Sequence, residues 1–200
     1  MTEKKRSIRE TRKKEILDAA KKVFIEKGFD ATTMEDIIGK TSLSKGGFYY
    51  YYDNTVDILH DLMKEGMAYR MSKMNDFMTE YSDELDKDAL AEMIVDKMLD
   101  ESDLMSVYVI YLQAMKNNRE LRDLYPVLVE ETLTLFHQDF KSAGAGDFDC
   151  FATDFMMYFM NTIMLGCEVI GARDNFVKNR SFFVDVVKLY FDRHDNRQIS

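Results

Sequence analysis

Between Thr33 and Tyr52 the chain reads Thr-Met-Glu-Asp-Ile-Ile-Gly-Lys-Thr-Ser-Leu-Ser-Lys-Gly-Gly-Phe-Tyr-Tyr-Tyr-Tyr, a stretch whose side chains suit the binding of phosphate. Thr33 and Ser44 stand where short helices would begin, and free backbone N–H groups and the helix dipole at such points attract phosphate oxygens. Lys45 adds a full charge at the same end, and Gly46 and Gly47 let a backbone come close to a ligand. The phenols of Tyr49, Tyr50 and Tyr51 can donate to phosphate oxygens, while Phe48 and Tyr52, four apart, share a helical face that can turn back to a small core. Ahead of this stretch, residues 1–14 hold Lys4, Lys5, Arg6, Arg9, Arg12, Lys13 and Lys14 against Glu3 and Glu10, an excess of five positive charges. Arg9 and Arg12 are the candidates for phosphate contact from this arm. Four consecutive Tyr could be merely a packed helix end; a basic arm beside them favours duplex DNA.

Short helices must hold these groups. Ile16, Ala19, Ala20, Val23 and Phe24 recur at i, i+3, i+4, i+7 and i+8, which predicts an amphipathic helix over 7–27. Gly28 ends it, and Phe29 after it resembles the apolar partner of a Schellman cap. Thr33 with Asp36 is a variant capping box opening a second helix around Ile37 and Ile38. Ser44 caps a third, to about Tyr51, after a turn at Lys40–Leu43. Helix, short turn, helix is the helix-turn-helix unit. Asp53 and Asn54 then cap a long helix over about 55–81, and further segments are predicted at 87–99, 103–117, 119–141, 148–172 and 178–193. Ser142-Ala-Gly-Ala-Gly146 is a turn. Pro126 kinks the 119–141 segment or marks its true start.

One Pro and nine Gly in 200 residues leave few breakers, so the composition favours an all-helical chain. Fifteen Met can fill irregular gaps or adapt to several ligands; plain core filling is the competing reading. Residues 1–60 hold twelve Lys/Arg against ten Asp/Glu, net +2, and residues 61–200 hold fifteen against twenty-six, net −11. A basic head on an acidic body suits a protein that touches phosphate with one end. Cys150 and Cys167 are too far apart along one helix for a disulfide, which points to reduced thiols and a cytosolic chain. No apolar signal stretch follows the basic run. The most apolar segment, Cys150 to Ala172, is interrupted by Asp154, Asn161 and Glu168, each charge costing about 2.5–3.5 kcal/mol at a bilayer centre, so a buried soluble helix is expected.

Ile16-Leu-Asp-Ala-Ala20, Phe24, Gly28-Phe-Asp-Ala-Thr-Thr33, Asp36-Ile37, Ser44-Lys-Gly-Gly-Phe-Tyr49 and Ile58-Leu59 together resemble the N-terminal domain of the TetR family of bacterial transcriptional regulators. The likeness covers residues 10–59. It implies a dimeric, all-helical, ligand-responsive repressor: a helix-turn-helix DNA-binding domain over 1–53 and a helical ligand-binding and dimerisation domain over 54–200. Dimer symmetry in turn implies a pseudo-palindromic operator. The sequence departs from the family pattern where Ile38 replaces a usual Ala, Ser42 a Gly, Gly47 a Thr, Tyr51 and Tyr52 a His and a Phe, and Thr55 a phosphate-binding Lys. These departures imply a shifted operator preference or a weaker phosphate grip.

In the body, segments 148–172 and 178–193 are apolar on more than one face, so one face is expected to meet a partner. Met160, Met164, Cys167, Phe183, Val187 and Tyr190 are the candidate dimer contacts; a monomer with one large core is the alternative. Asp154, Asn161 and Glu168 recur every seven residues along one stripe, either a solvent or dimer rim or the wall of a pocket. As a pocket, with Phe155, Tyr158, Phe136, Tyr108 and Tyr111 around it and Gln113, His137 and Asn161 to orient, it would take a small hydrophobic effector, a cationic one included. No cofactor or metal is called for: His60, His137 and His194 show no metal-ligand spacing with the Cys, and no phosphate-binding glycine loop or hydrolase motif occurs. The rival to a regulator is a helical dimeric protein-interaction module with a degenerate DNA-binding head.

Overall fold

The computed structural model describes residues 3–80, 86–142 and 154–195, without the side chains of 3–6, 78, 80, 136–142, 154, 194 and 195. The expected 142–146 turn, the Cys150 thiol, the start of the 148–172 segment and the side chains of Phe136, His137 and Asp154 therefore lie outside the described residues. Every element within them is a helix: α1 Glu3–Lys27, α2 Met34–Ile38, α3 Lys45–Tyr49, α4 Thr55–Glu80, α5 Lys87–Leu99, α6 Asp103–Ala114, α7 Arg119–Ser142, α8 Asp154–Val169, α9 Arg173–Lys178 and α10 Arg180–Asp195.

The chain forms two compact units, Met1–Met67 with Ser102–Leu128, and Ala68–Glu101 with Val129–Ser200. The first holds α1–α3, the start of α4, α6 and the start of α7, with α1 packed on α2 and α6. The periodic face of α1 is buried: Ile16, Ala20 and Phe24 are fully enclosed, with Ile37, Phe48, Ile58, Leu59, Leu62, Val107, Tyr111 and Leu121 in the same core. α1 stops where expected. Gly28 takes φ +76°, its N–H donates to the Phe24 carbonyl at 2.8 Å, and the Phe29 ring folds back to 5.7 Å from that of Phe24. That bond is the single-bond form of the left-handed cap rather than the paired bonds of a Schellman motif. Thr32 follows, buried, its hydroxyl donating to the Gly28 carbonyl at 2.7 Å.

The caps drawn from sequence are present. Thr33 and Asp36 form a complete capping box, Ser44 Oγ accepts from the Gly47 N–H at 3.2 Å, and Asn54 Oδ1 accepts from the Asp57 N–H at 2.9 Å. Two expectations change. α6 ends at Ala114 rather than 117, because the chain turns through Asn118, whose side chain accepts from the Leu121 N–H at 3.1 Å and starts α7. Pro126 is interior to α7, so it does not mark the start of that helix.

In the second unit α5 packs against α8, α9 and α10. Leu90, Ala91, Ile94, Val95 and Met98 form its buried face. Along its flank Arg180 donates to Asp96 at 2.6 Å and to Glu92, and Lys188 pairs with Asp88 at 3.0 Å. Arg173 donates to the carbonyls of Leu99, at 2.6 Å, and Asp100, satisfying groups that the end of α5 leaves unpaired. The expected 178–193 segment is α10, Arg180–Asp195, and a short helix that the sequence did not announce, α9, precedes it and ends at Lys178.

Gly28 supports a direct prediction. A Cβ there meets nothing within 4 Å, so Gly28→Ala adds backbone strain without a clash. It should destabilise the first unit by about 1–2 kcal/mol, and Gly28→Asn by less, read from urea midpoints at unchanged slope. An unchanged midpoint in Gly28→Ala would show that the left-handed cap is not held in solution.

Candidate nucleic-acid interface

α2 and α3 are five residues each, so their position comes from burial and caps rather than from helix propensity. Phe48, the fourth of the five residues of α3, is fully buried, and Tyr52 is buried one turn later. That leaves Lys45, Gly46, Tyr49 and Tyr50 on the outer side, with Tyr50 77% exposed and Tyr51 half-buried against it, ring centroids 5.2 Å apart. At Gly47 a Cβ would come within 3.2 Å of Ser44 Oγ, so the missing side chain leaves room for the cap hydroxyl.

The basic groups of this surface are mostly met by carboxylates of the same unit. Lys45 Nζ lies 2.8 Å from Glu35 Oε1 on α2 and 5.9 Å from the centre of the Tyr49 ring. This pairing holds the Glu35 carboxyl below, and the Lys45 ammonium above, their ordinary pKa values. Lys27 pairs with Asp36 at 2.6 Å and Lys40 with Glu26 at 3.7 Å. Hydrogen bonds from Lys27, and then from the Thr33 backbone and hydroxyl, take Asp36 down to about 2. Thr33 is thus occupied: its N–H and hydroxyl both donate to Asp36, at 3.0 and 2.8 Å.

Arg12 Nη1 donates to Glu15 Oε2 at 2.8 Å and to Ser42 Oγ at 2.9 Å. The Ser42 N–H donates to Glu15 Oε1 at 2.6 Å. Hydrogen bonding from Ser42, through its hydroxyl and its amide, and from Arg12 holds Glu15 at about 2. Lys13 pairs with Asp61 at 2.5 Å, and the Tyr52 hydroxyl donates to the same carboxylate at 2.8 Å. Burial pushes Asp61 up, but the bonds from Lys13 and Tyr52 outweigh it and leave its pKa lowered. Arg9, one turn before Arg12, is exposed and makes no ion pair among the described residues.

Sequence patterning named Arg9, Arg12, Thr33, Ser44, Lys45, Gly46, Gly47, Tyr49, Tyr50 and Tyr51; the structure gathers Ser44–Tyr51 on one short turn and helix and ties Arg12 to Ser42. Glu15, Glu35 and Asp61 escaped notice, because each acts on a residue well removed in sequence and no periodicity marks such a pair.

The candidate effector and dimer residues fare differently. In the first unit Tyr111 is fully buried with its hydroxyl donating to the Leu121 carbonyl at 2.7 Å, Tyr108 is half-buried and Gln113 is exposed. In the second unit Asn161 is buried, Phe155 and Tyr158 are each 62% exposed, and the Glu168 carboxylate is engaged by Arg173. Met160, Met164, Cys167, Phe183 and Val187 are buried within the chain itself, and Tyr190 is half-buried with its ring stacked 5.4 Å from that of Phe155. The first five are therefore core residues of the second unit, and the apolar surface left over on α8 and α10 is Phe155, Tyr158, Val169, Phe182 and Leu189. Helical periodicity marked two apolar faces without distinguishing which turns inward. Lys97, which sequence reading passed over, has its pKa drawn down to about 7 by burial and by the neighbouring Arg70 cation.

One long and two short helices around a shared core, with the third carried on a capped turn, are the head of a helix-turn-helix protein. Residues 16–62 match the family model for bacterial regulatory proteins of the tetR family, so the head of this chain is similar to the heads of that family. Over 67 residues it is 36% identical to the HTH-type transcriptional regulator YfiR of Bacillus subtilis, covering 34% of this chain and 33% of that one. Over 46 residues it is 44% identical to IcaR of Staphylococcus epidermidis, the negative transcriptional regulator of the icaADBC biofilm operon, covering 23% and 25%. These matches span about a third and a quarter of the relatives' own lengths. The fold extends further: the solved structure of the fatty acid degradation regulator FadR from Bacillus halodurans superposes with a TM-score of 0.56 at 20% identity, covering 90% of this chain and 93% of that one. No helix of the described residues is long and apolar enough to cross a membrane.

The depressed carboxylates set a pH window. Their folded pKa lies below the unfolded value, so the stability they contribute is complete above about pH 4.5 and is lost as pH falls toward 2. Carboxyl-carbon NMR of the intact protein should therefore find Glu15 and Asp36 titrating near 2, with the head's stability flat from pH 5 upward. Titration of both groups near 4 would mean that the Ser42 and Lys27 pairings do not persist in solution.

Proposed function

We propose that the chain is a ligand-responsive transcriptional regulator, most simply a repressor, that binds a pseudo-palindromic operator as a homodimer. The observation that carries this reading is the outer side of α3: Lys45, Tyr49 and Tyr50 stand exposed while Phe48 anchors the helix from beneath. Arg9, Lys45, Tyr49 and Tyr50 are the proposed backbone contacts, with Gly46 and Gly47 permitting close approach and Ser44, Thr33 and Tyr51 shaping the surface. The Glu35 partner of Lys45 is no obstacle, because both side chains are more than 60% exposed and such pairs are worth about 0–1 kcal/mol. The repressor sense is supported by the head's likeness to IcaR, a negative regulator.

The functional division is proposed at 1–53 for DNA and 54–200 for effector and dimer, with α4 as the lever, since it starts three residues after Tyr52 and continues into the second unit. Phe155, Tyr158, Phe182 and Leu189 are the proposed dimer contacts, in place of the core residues of the same helices. The effector is a small hydrophobic molecule taken up by the body; it releases DNA if it fits the body better when the heads are splayed, lowering DNA affinity by the same coupling energy. Phe136, His137, Asp154 and Asn161, all of the second unit, remain its proposed contacts. With Glu168 held by Arg173 and the half-buried Lys97 near the Arg70 cation, a neutral or anionic head group is better supported than a cation. Stronger thermal stabilisation by quaternary ammonium compounds than by long-chain carboxylates would reverse that charge assignment.

The test of the regulator reading is selection of genomic duplexes by the full-length protein at low salt, followed by the mass of the complex. An inverted repeat should be enriched and bound by an even number of chains, with affinity falling by roughly one power of salt concentration per phosphate neutralised. Enrichment of no repeat, with binding absent even at low salt, would leave the protein-interaction module as the better reading.

A further inference from the structure

Ser42 lies two residues before the cap of α3, in the turn that sets where this helix sits relative to α1. Its N–H donates to Glu15 Oε1 at 2.6 Å, and Arg12 Nη1 donates both to Glu15 Oε2 at 2.8 Å and to Ser42 Oγ at 2.9 Å. Of the turn's other polar side chains, Thr41 bonds locally, donating to the Ile38 carbonyl at 2.9 Å and accepting from the Leu43 N–H at 3.3 Å, and Lys40 reaches α1 only as an exposed ion pair with Glu26 at 3.7 Å. The hydrogen bonds that cross from the turn to α1 are those of Glu15 and Arg12. They differ from the Lys45–Glu35 pair, in which two exposed side chains meet with no backbone involved. Here a carboxylate 27% exposed holds a backbone amide 27 residues away, and one guanidinium nitrogen is shared between two acceptors. α1 also carries Arg9 on the same helix face, one turn toward its start, so whatever fixes the turn to α1 fixes α3 to the arm.

We propose that Glu15, Arg12 and Ser42 form a positioning cluster for DNA recognition, which locks the turn before α3 onto α1 so that arm and recognition helix meet the duplex as one body, and in which Arg12 serves the turn rather than a phosphate. Ser42, where the tetR pattern usually has Gly, is what gives Arg12 its hydroxyl partner. None of the three reads a base. The cluster matters to a specific site, where helix and arm must fit together, and little to a random duplex, which is held by charge alone.

This rests on the DNA-binding reading, and the test separates the two. Full-length Glu15→Gln, Arg12→Ala, Arg12→Lys and Ser42→Gly are titrated by fluorescence anisotropy against the duplex enriched by selection and against a random duplex, over a range of salt. Glu15→Gln should weaken the enriched duplex by about tenfold while leaving the random duplex within about twofold and the salt slope unaltered. Arg12→Lys should behave as Arg12→Ala, since an ammonium on a shorter, flexible stem keeps the charge but is not held by a rigid plane between Glu15 and Ser42. Ser42→Gly, which keeps the amide bond to Glu15 and loses the hydroxyl, should fall between wild type and Glu15→Gln.

Hydrogen exchange of the free protein supplies the structural readout: the Ser42 amide should exchange faster in Glu15→Gln while the amides of α1 keep their protection. If all head amides speed up in Glu15→Gln, the variant has unfolded the head, and Arg12→Lys and Ser42→Gly decide the matter. A salt slope reduced by about one power on both duplexes in Arg12→Ala and restored in Arg12→Lys would overturn the proposal in favour of a phosphate contact. So would an enriched duplex bound equally by wild type and Glu15→Gln. Failure of the wild type to bind any duplex, with the Ser42 amide still protected, would instead sink the DNA-binding reading and leave the cluster a purely structural clamp.

Discussion

A helix of five residues has no stability of its own in water, since nucleation fixes several residues for the first hydrogen bond and α3 has little length over which to recover the cost. α3 exists because Phe48 is buried against the core formed by Ile16, Ala20, Phe24 and Ile37. Burying such a side chain contributes about 1.5–3 kcal/mol, more than any single exposed contact around it. The exposure of Lys45, Tyr49 and Tyr50 follows from that burial, because a helix anchored at Phe48 must turn its other residues outward. The left-handed Gly28, the Thr33 capping box and the Ser44 cap are the devices that bring the chain back to this anchor in so few residues.

Electrostatics then shapes a surface that burial has placed. The head has nearly as many carboxylates as basic groups, and Lys45, Lys27, Lys40, Lys13 and Arg12 each have a partner of opposite charge. Exposed pairs of this kind contribute little to stability, yet each must be opened or screened before the cation can serve a phosphate. On the proposed reading, a head so compensated would bind random DNA less tightly than its Lys and Arg count alone suggests, leaving more of the affinity to the fit of α3 and its turn. The pairs that also engage backbone, Glu15 with Ser42 and Asp36 with Thr33, are the ones that set geometry.

Much of this was legible in the chain. Hydroxyls and Asn at Thr33, Ser44 and Asn54 mark helix starts because the side chain itself bonds the first free amides, and Gly28 marks an end because its φ is positive. The short α9 was not legible, since six residues are too few to show a helical period. On α8 and α10 the period of 3.6 showed two apolar faces, but which one faces α5 depends on Leu90, Ile94 and Met98 across the contact, and no local pattern encodes that choice. For the same reason Met160 and Phe183 read as partner-facing and are core. Tyr111 read as a pocket residue and is a core tyrosine, because its hydroxyl finds the Leu121 carbonyl ten residues on.

The account stands on one claim, that the face built on Phe48 is where DNA lies. Hydrogen exchange of the full-length protein, read by mass spectrometry with and without a duplex that it selects, tests this most directly. Protection gained on adding the duplex should concentrate in peptides covering Arg9–Lys14 and Ser42–Tyr51. Protection that appears in the second unit while these segments stay unchanged would contradict the account.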